Sequence, residues 1–365
     1  METIKVNLGQ RSYPVYIGQD FLARVGKVAT DFHLGKKILL VSDDQVDELY
    51  GGKVRTSLQE AGFCVSLAKV PPGEIHKSLS QTIKLYESCV ESKLDRDSTI
   101  IGLGGGVIGD LAGFVASTYL RGTRGVDFVL LPTTLLAQVD SSVGGKVGVD
   151  LPQGKNLVGS FYQPRFVYAD LTVLKTLSWQ QVKEGLAEIV KYGMIKDAEF
   201  FGWVEKNLER IKALDLKAID FAVRRSVEIK AKVVEADERE LKGKRQVLNF
   251  GHTIGHAVEA SSGYRSYTHG EAVALGMIGA AIIAERMGYF PSPMVGRLKG
   301  LLEALGLPTC IEGVDEEKIR DALQLDKKVR KDRLHFVLPR KIGEVFLTAE
   351  VPPNLIRETL KDLKK

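Results

Sequence analysis

The chain has 365 residues, of which 44% are hydrophobic and 27% charged, and its formal net charge is +5. That balance is ordinary for a globular enzyme, and the length suits two domains of about 100–200 residues each. The charges are interspersed and the positive excess is small, so no nucleic-acid partner is implied. The longest apolar stretches are broken by charge or glycine, so no segment is expected to span a membrane. Cys64, Cys89 and Cys310 lie far apart and no pair has metal-ligand spacing; they read as reduced thiols, as in a cytoplasmic protein.

The N-terminus, Met1-Glu-Thr-Ile-Lys-Val-Asn-Leu8, alternates apolar and polar residues and reads as a first strand, not a signal peptide. Lys37–Ser42 is a short apolar run ending at Asp43-Asp44, Thr99–Leu103 ends in Gly104-Gly-Gly106, and Asp127–Leu131 ends in Pro132-Thr-Thr134. Continuous apolar runs bounded by turn residues are expected of strands buried on both faces of a parallel sheet. Helix-patterned stretches such as Ser78–Lys93 separate them, and that alternation predicts a doubly wound α/β sheet. From about Ser178 helical patterns dominate: Trp179–Lys196, Phe200–Ala213, Leu216–Ala236, Gly251–Ser261, Glu271–Met287 and Pro293–Leu305. Few β-branched runs follow before Leu334–Leu338, so residues 1–175 are expected to form an α/β domain and 176–365 a mostly α-helical one.

Gly104-Gly-Gly-Val-Ile-Gly109 follows a predicted strand and opens a predicted helix, the pattern in which bare backbone admits a pyrophosphate to a helix N-terminus. From this motif alone, a tight strand–helix turn explains the glycines equally well, and its place near residue 104 lies outside the first βα unit. Asp110 sits in the first turn of that helix, where a carboxylate is also a common dipole partner. Asp140-Ser-Ser-Val-Gly-Gly-Lys146, followed by Lys155-Asn156, is rich in glycine, hydroxyls and amines, which suits an anionic or polyhydroxylated ligand. Glu184, Glu188 and Lys191 share one face of an otherwise apolar helix, and a carboxylate buried there requires a cation or metal. Arg245, which can grip a carboxylate or phosphate with two parallel bonds, and Asn249 precede His252 by seven and three residues.

Three of six histidines fall within eighteen residues, as Asn249-Phe-Gly-His252-Thr-Ile-Gly-His256-Ala and, after a turn-like segment, His269-Gly-Glu271. His252 and His256 are four apart, so a helix places both rings on one face. Thr253 stands where a His-Glu-x-x-His protease carries its glutamate, which disfavours that chemistry. Neutral imidazole is a good ligand for zinc, and Glu188 with two histidines would leave a position open to substrate. Lys327 and Lys328 follow Asp326 in a polar stretch that carries no signal by itself.

Taken together these stretches resemble the 3-dehydroquinate synthase family almost end to end. The likeness runs through Gly73-Glu74-x-x-Lys77-Ser78, Gly104-Gly-Gly-Val-Ile-Gly-Asp110, Thr118-Tyr-Leu-Arg121-Gly122 and Pro132-Thr-Thr-Leu-Leu-Ala137-Gln-Val-Asp-Ser-Ser-Val-Gly-Gly-Lys146. It continues through Gly154-Lys-Asn156, Gly185-Leu-Ala-Glu188-x-x-Lys191, Asp237-Glu-Arg-Glu240, Leu248-Asn-Phe-Gly-His-Thr-Ile-Gly-His256 and His269-Gly-Glu271. The resemblance implies a Rossmann-like NAD-binding domain followed by a helical metal- and substrate-binding domain, with the active site in the cleft between them, usually in a homodimer. It implies conversion of 3-deoxy-D-arabino-heptulosonate 7-phosphate to 3-dehydroquinate by oxidation at C5, elimination of phosphate, reduction, ring opening and aldol closure. NAD is recycled within the turnover, and zinc or cobalt holds the substrate hydroxyls.

By motif, Glu188, His252 and His269 match the family's metal ligands, and His256 its catalytic histidine, with Glu240 and Lys146 also catalytic. Arg121, Lys146, Asn156, Lys191, Lys230, Arg245, Asn249 and one or both of Lys327 and Lys328 match substrate positions. Asp43, Glu74, Lys77, Gly105, Gly106, Val107, Asp110, Thr133, Thr134, Asp140, Lys146, Lys155 and Thr176 match the NAD side. Two departures stand out: an extra residue around Lys242-Gly-Lys244, and Glu184 where the family more often has a small or neutral residue. The alternatives are a related cyclase of valiolone or deoxy-inosose type, an iron-dependent alcohol or glycerol dehydrogenase, and a silent NAD- or sugar-phosphate-binding regulator. Arg245 with a lysine near Lys230 favours a carboxylate-bearing substrate over the first of these.

Overall fold

A computed structural model describes residues 2–121, 125–263, 266–329 and 334–364, without the side chains of Arg121 and residues 325–329. It divides into two compact units, Met1–Leu177 with Lys230–Arg239, and Ser178–Ile229 with Glu240–Lys365.

In the first unit the segments read as strands form β1 (Glu2–Val6), β3 (Lys37–Asp43), β5 (Thr99–Gly104) and β6 (Asp127–Pro132), and the structure adds β2 (Tyr13–Gly18), β4 (Cys64–Val70), β7 (Lys146–Leu151), β8 (Gly154–Phe161) and β9 (Phe166–Asp170). Seven of them make one sheet in the order β1-β2-β9-β6-β5-β3-β4, while β7 and β8 pair apart as an antiparallel hairpin. Among the described residues only the β1–β2 pair in the large sheet is antiparallel. Every residue of β5 and β9 is buried, as expected for strands covered on both faces. On one face Ile38, Leu40, Ile101, Leu103, Val129 and Leu131 join Val25, Val54 and Leu58 in a single core. Each such side chain contributes about 1.5–3 kcal/mol on burial.

The strand order places the ligand-binding end. β3 pairs with β4 on one side and β5 on the other, so the winding direction reverses between β3 and β5. Open α/β sheets bind ligands beyond the carboxyl ends of their strands at such a switch point. Asp43 ends β3 and the glycine turn follows β5, so both lie there. Position in space therefore gives the glycine turn the setting that its distance from the first βα unit had put in question.

A stretch expected in the second domain, Lys230–Arg239, packs with the first unit. Glu235 accepts from Asn7 N and Nδ2 at 2.7 and 2.9 Å, and Glu238 pairs with Arg11 at 2.7 Å. Contacts across more than two hundred residues of sequence carry no local signal.

The second unit is mostly helical, with one hairpin of β10 (Phe336–Lys341) and β11 (Glu344–Thr348). The helix Trp179–Lys196 starts at a reciprocal Ser178–Gln181 cap, and His269–Arg286 at one between Thr268 and Glu271. The single helical stretch expected over Phe200–Ala213 is two helices, Ala198–Lys206 and Leu208–Lys212. Asn207 breaks it, with φ at −110° and its side-chain amide donating to the Trp203 carbonyl at 2.9 Å. Among the described residues no helix is long and apolar enough to cross a membrane.

Candidate active site

Three helices of the second unit bring the histidines and Glu188 together, and bare backbone lets them approach. A Cβ on Gly270 would lie 2.4 Å from Glu184 Cα, and one on Gly276 would lie 1.8 Å from the Gly251 carbonyl oxygen. Gly251 itself has φ +81°, a left-handed turn that ends the Lys244–Asn249 segment and starts the helix His252–Ser261. Glu188 is fully buried on Trp179–Lys196, with Lys191 one turn on and 1% exposed. The Lys191 ammonium pairs with Glu188 Oε2. Glu188 Oε1 lies 3.7 Å from His252 Nε2 and 3.5 Å from His269 Nε2.

Two ligands of one tetrahedral zinc, each 2.0–2.2 Å away, lie about 3.4 Å apart. One carboxylate and two imidazoles at this spacing therefore fit a divalent zinc or cobalt ion. All three ligand atoms lie within 4.8 Å of one another. The electrostatics agree. Burial, and then the Lys191 charge, push the His252 pKa down to about 3, so this ring is the neutral form a metal needs. Burial alone would also lower His269, but the carboxylates of Glu188 and Glu259 outweigh it and raise the pKa to about 10. A proton there answers negative charge that a cation would otherwise meet. His256 is exposed, and its ring stands edge-on to His252 with centroids 5.2 Å apart.

The first unit carries a second cluster. The helix Gly106–Thr118 begins directly after β5 with no side-chain cap, and because it starts at Gly106, Asp110 falls beyond the first turn expected for it, which holds no acidic residue. A Cβ on Gly105 would crowd Thr134 Cγ2 at 3.1 Å, and one on Gly106 would crowd Ser141 Oγ at 3.2 Å. Bare N–H groups at the switch point fit the pyrophosphate of a dinucleotide. Beside them Lys77 is buried and reaches Asp110 Oδ2 and Asn156 Oδ1, both at 2.5 Å. Burial opposes the Lys77 charge, but Asp110 and Glu74 hold its pKa above the ordinary value. Burial raises the Asp110 carboxyl, offset in part by Lys77. Lys155 pairs with Glu74 at 3.5 Å. Asp110, Ser141, Gly145 and Lys146 line one small pocket.

Residues 67–184 match the family described as 3-dehydroquinate synthase N-terminal, and residues 185–329 its C-terminal counterpart. The 3-dehydroquinate synthase of Desulforamulus reducens is 50% identical over 96% of this chain and 97% of its own. The chain belongs to the 3-dehydroquinate synthase family. The family's enzyme from Pelotomaculum thermopropionicum is 49% identical over 99% of this chain and 96% of its own. Among solved structures, a 2-deoxy-scyllo-inosose synthase complexed with carbaglucose-6-phosphate, NAD+ and Co2+ superposes with a TM-score of 0.89 at 29% identity, covering 99% of both chains. The 2-epi-5-epi-valiolone synthase of Streptomyces hygroscopicus, with NAD+ and Zn2+ bound, gives 0.89 at 27% identity over 98% of both. A butanol dehydrogenase from Thermotoga maritima, at 16% identity and a TM-score of 0.67 over 96% of both chains, shares the fold alone.

Other residues that the family motifs single out are spread more widely. Asp43 Oδ1 accepts from Val46 N at 2.9 Å, and burial raises its pKa. The buried Thr133 donates its N–H to the Gly104 carbonyl at 2.9 Å, and Thr134 Oγ1 accepts from Ala137 N at 3.1 Å. Thr176 Oγ1 meets the Tyr50 hydroxyl at 2.7 Å. Lys230 donates to the carbonyl and carboxylate of Asp140 at 2.6 and 2.8 Å. Val107 lies in the first turn of Gly106–Thr118, and Glu240 takes a positive φ of 56°. Arg245, 2% exposed, and Asn249 sit on Lys244–Asn249, outside the helix of His252. The side chains of Arg121, Lys327 and Lys328 lie outside the described residues. Sequence reasoning missed Glu259, buried and 3.7 Å from His269 Nδ1. Its position seven residues after His252 and three after His256 was the available signal.

Proposed function

We propose that the chain converts 3-deoxy-D-arabino-heptulosonate 7-phosphate to 3-dehydroquinate and phosphate, the cyclisation step of aromatic amino-acid biosynthesis, with NAD and a zinc or cobalt ion. The observation that carries the reading is 50% identity to a 3-dehydroquinate synthase along 96% of the chain. When bound, NAD supplies a hydride acceptor regenerated within the turnover, and the ion supplies Lewis acidity at two substrate hydroxyls.

The residues' own parts follow from their chemistry. Glu188, His252 and His269 hold the ion. Gly105, Gly106, Val107 and the Lys77–Asp110 pair hold the dinucleotide. His256, exposed beside His252, holds or passes a proton next to the ion. Lys191 and the exposed Lys146 oppose the charges of carboxylate and phosphate. Arg245 offers a planar fork suited to the carboxylate. We extend the proposal to a homodimer, the assembly the family resemblance implies, which sedimentation velocity tests.

The relatives at 29% and 27% identity keep one second reading in view, a cyclase acting on a sugar phosphate without a carboxylate. Phosphate release with catalytic NAD separates the two. The heptulosonate phosphate should be turned over much faster than sedoheptulose 7-phosphate. Equal rates on both would overturn the substrate assignment.

A further inference from the structure

Each of the two imidazoles that face Glu188 has an oxygen behind it. Nε2 of His252 and of His269 point to Glu188 Oε1 at 3.7 and 3.5 Å. Behind each ring the other nitrogen faces that oxygen, closer for His252 than for His269. Nδ1 of His252 lies 3.2 Å from the Phe250 carbonyl, and Nδ1 of His269 lies 3.7 Å from Glu259 Oε2. Glu259 is 2% exposed. A carboxylate that deep is costly without a positive or donating neighbour.

A neutral imidazole carries one N–H and one lone pair. It can ligate an ion through Nε2 only when the proton sits on Nδ1. An acceptor behind the ring selects that tautomer and makes the ligating nitrogen more basic. We infer that Glu259 is a positioning residue, whose carboxylate holds the Nδ1–H of His269 and commits Nε2 to the ion shared with Glu188 and His252. The inference rests on the ligand set proposed above.

The same atoms admit a rival arrangement, because ligand atoms of His256, Glu259 and His269 also lie within 4.8 Å of one another. One neutral imidazole has a single lone pair to give. Giving it toward Glu188 serves a fully buried carboxylate and the half-buried His252, whereas giving it toward Glu259 relies on the exposed His256. The first arrangement leaves Glu259 behind the ring as acceptor and not as ligand.

The test uses full-length protein stripped of metal and titrated with Zn2+ against a chromophoric chelator, with the Co2+ absorption spectrum recorded on the same preparations. Glu259→Ala should weaken Zn2+ binding about 10–100-fold. Glu259→Gln keeps an acceptor and loses the charge, so its loss should be smaller, at least about threefold, with a shifted Co2+ spectrum. NAD affinity should stay at the wild-type value in both. Wild-type Zn2+ affinity and an unchanged Co2+ spectrum in the glutamine variant would overturn the inference, and that variant decides alone if the alanine variant does not fold. A wild-type protein that binds two ions and a Glu259→Gln protein that binds one would make Glu259 a ligand and overturn it equally. His252→Ala, run in parallel, should abolish tight Zn2+ binding. If it does not, the proposed ligand set itself is wrong and this inference falls with it.

Discussion

Gly270→Ala is the sharpest perturbation of the proposed metal centre, because it adds one methyl group and removes no ligand. The new Cβ would sit 2.4 Å from Glu184 Cα, where ordinary contact begins at 3.4 Å. The atoms opposite are backbone and cannot turn aside, so one helix must move by about 1 Å to relieve the overlap. Gly270 adjoins His269, whose Nε2 is 3.5 Å from Glu188 Oε1. Opening that separation by about 1 Å exceeds the span of about 4.2 Å that a zinc ion with 2.0–2.2 Å bonds can bridge even in a straight line. Zinc affinity should therefore fall by more than about 100-fold, beyond the usual effect of losing an outer-shell partner. Stability of the metal-free protein should change much less. Overpacking costs about 1–3 kcal/mol, and replacing glycine within a helix returns up to about 1 kcal/mol. Gly300→Ala, where a Cβ meets nothing within 4 Å, is the control and should leave zinc binding untouched. The assay is chelator competition for Zn2+ together with thermal unfolding of the stripped protein. Wild-type zinc affinity in Gly270→Ala would refute the idea that glycine contact sets the ligand spacing.

Three further outcomes are expected. His256→Ala should keep metal and NAD while losing most turnover; metal content and rate measured on one preparation check this, and parallel loss of both would give His256 a ligand's role. Arg245→Lys should lower activity on the heptulosonate phosphate, leave NAD affinity unchanged and narrow the preference over sedoheptulose 7-phosphate, because an ammonium cannot reproduce two parallel bonds to a carboxylate. Glu271 is held below its ordinary pKa; burial opposes this, but hydrogen bonds from Gln180 and the Thr268 N–H and the charge of Lys183 prevail. A depressed carboxylate stabilises above the unfolded pKa of about 4.3 and loses that contribution as pH falls through the folded value. Thermal midpoints should thus be lower for Glu271→Gln than for wild type near neutral pH, with the gap closing below about pH 4, and a gap independent of pH would refute the charge argument.

Much of the fold was legible because its signals are local. β3, β5 and β6 are apolar runs stopped by aspartate, glycine or proline, and the helix Trp179–Lys196 announces its start with Ser178 and Gln181. The histidine cluster was legible for the same reason, since helical spacing alone aligns His252 and His256. What was not legible depends on pairings distant in sequence. Nothing in β3 says that both β4 and β5 will flank it, yet that order makes the switch point. Asp140-Ser-Ser-Val-Gly-Gly-Lys146 read as a polar binding segment, and the hairpin of β7 with β8 that grows from it depends on pairing with residues up to Phe161.

The proposed metal site shows why residue type and geometry part company. Its chemistry belongs to four side chains that sequence reading singled out, Glu188, Lys191, His252 and His269. Its spacing belongs to residues with no side chain at all. Gly270 admits the backbone of Glu184, and Gly276 admits the carbonyl of Gly251, each at a distance that any Cβ would forbid. Read along the chain, such a glycine is a weak helix former that costs about 1 kcal/mol relative to alanine. Read in space, it fixes how near one helix comes to the next. The same logic accounts for Glu259, an ordinary helical acid until the ring of His269 arrives from another helix and turns Nδ1 toward it. Ligand identity is written locally, whereas the distances that make ligands of those side chains are written in the contacts between helices.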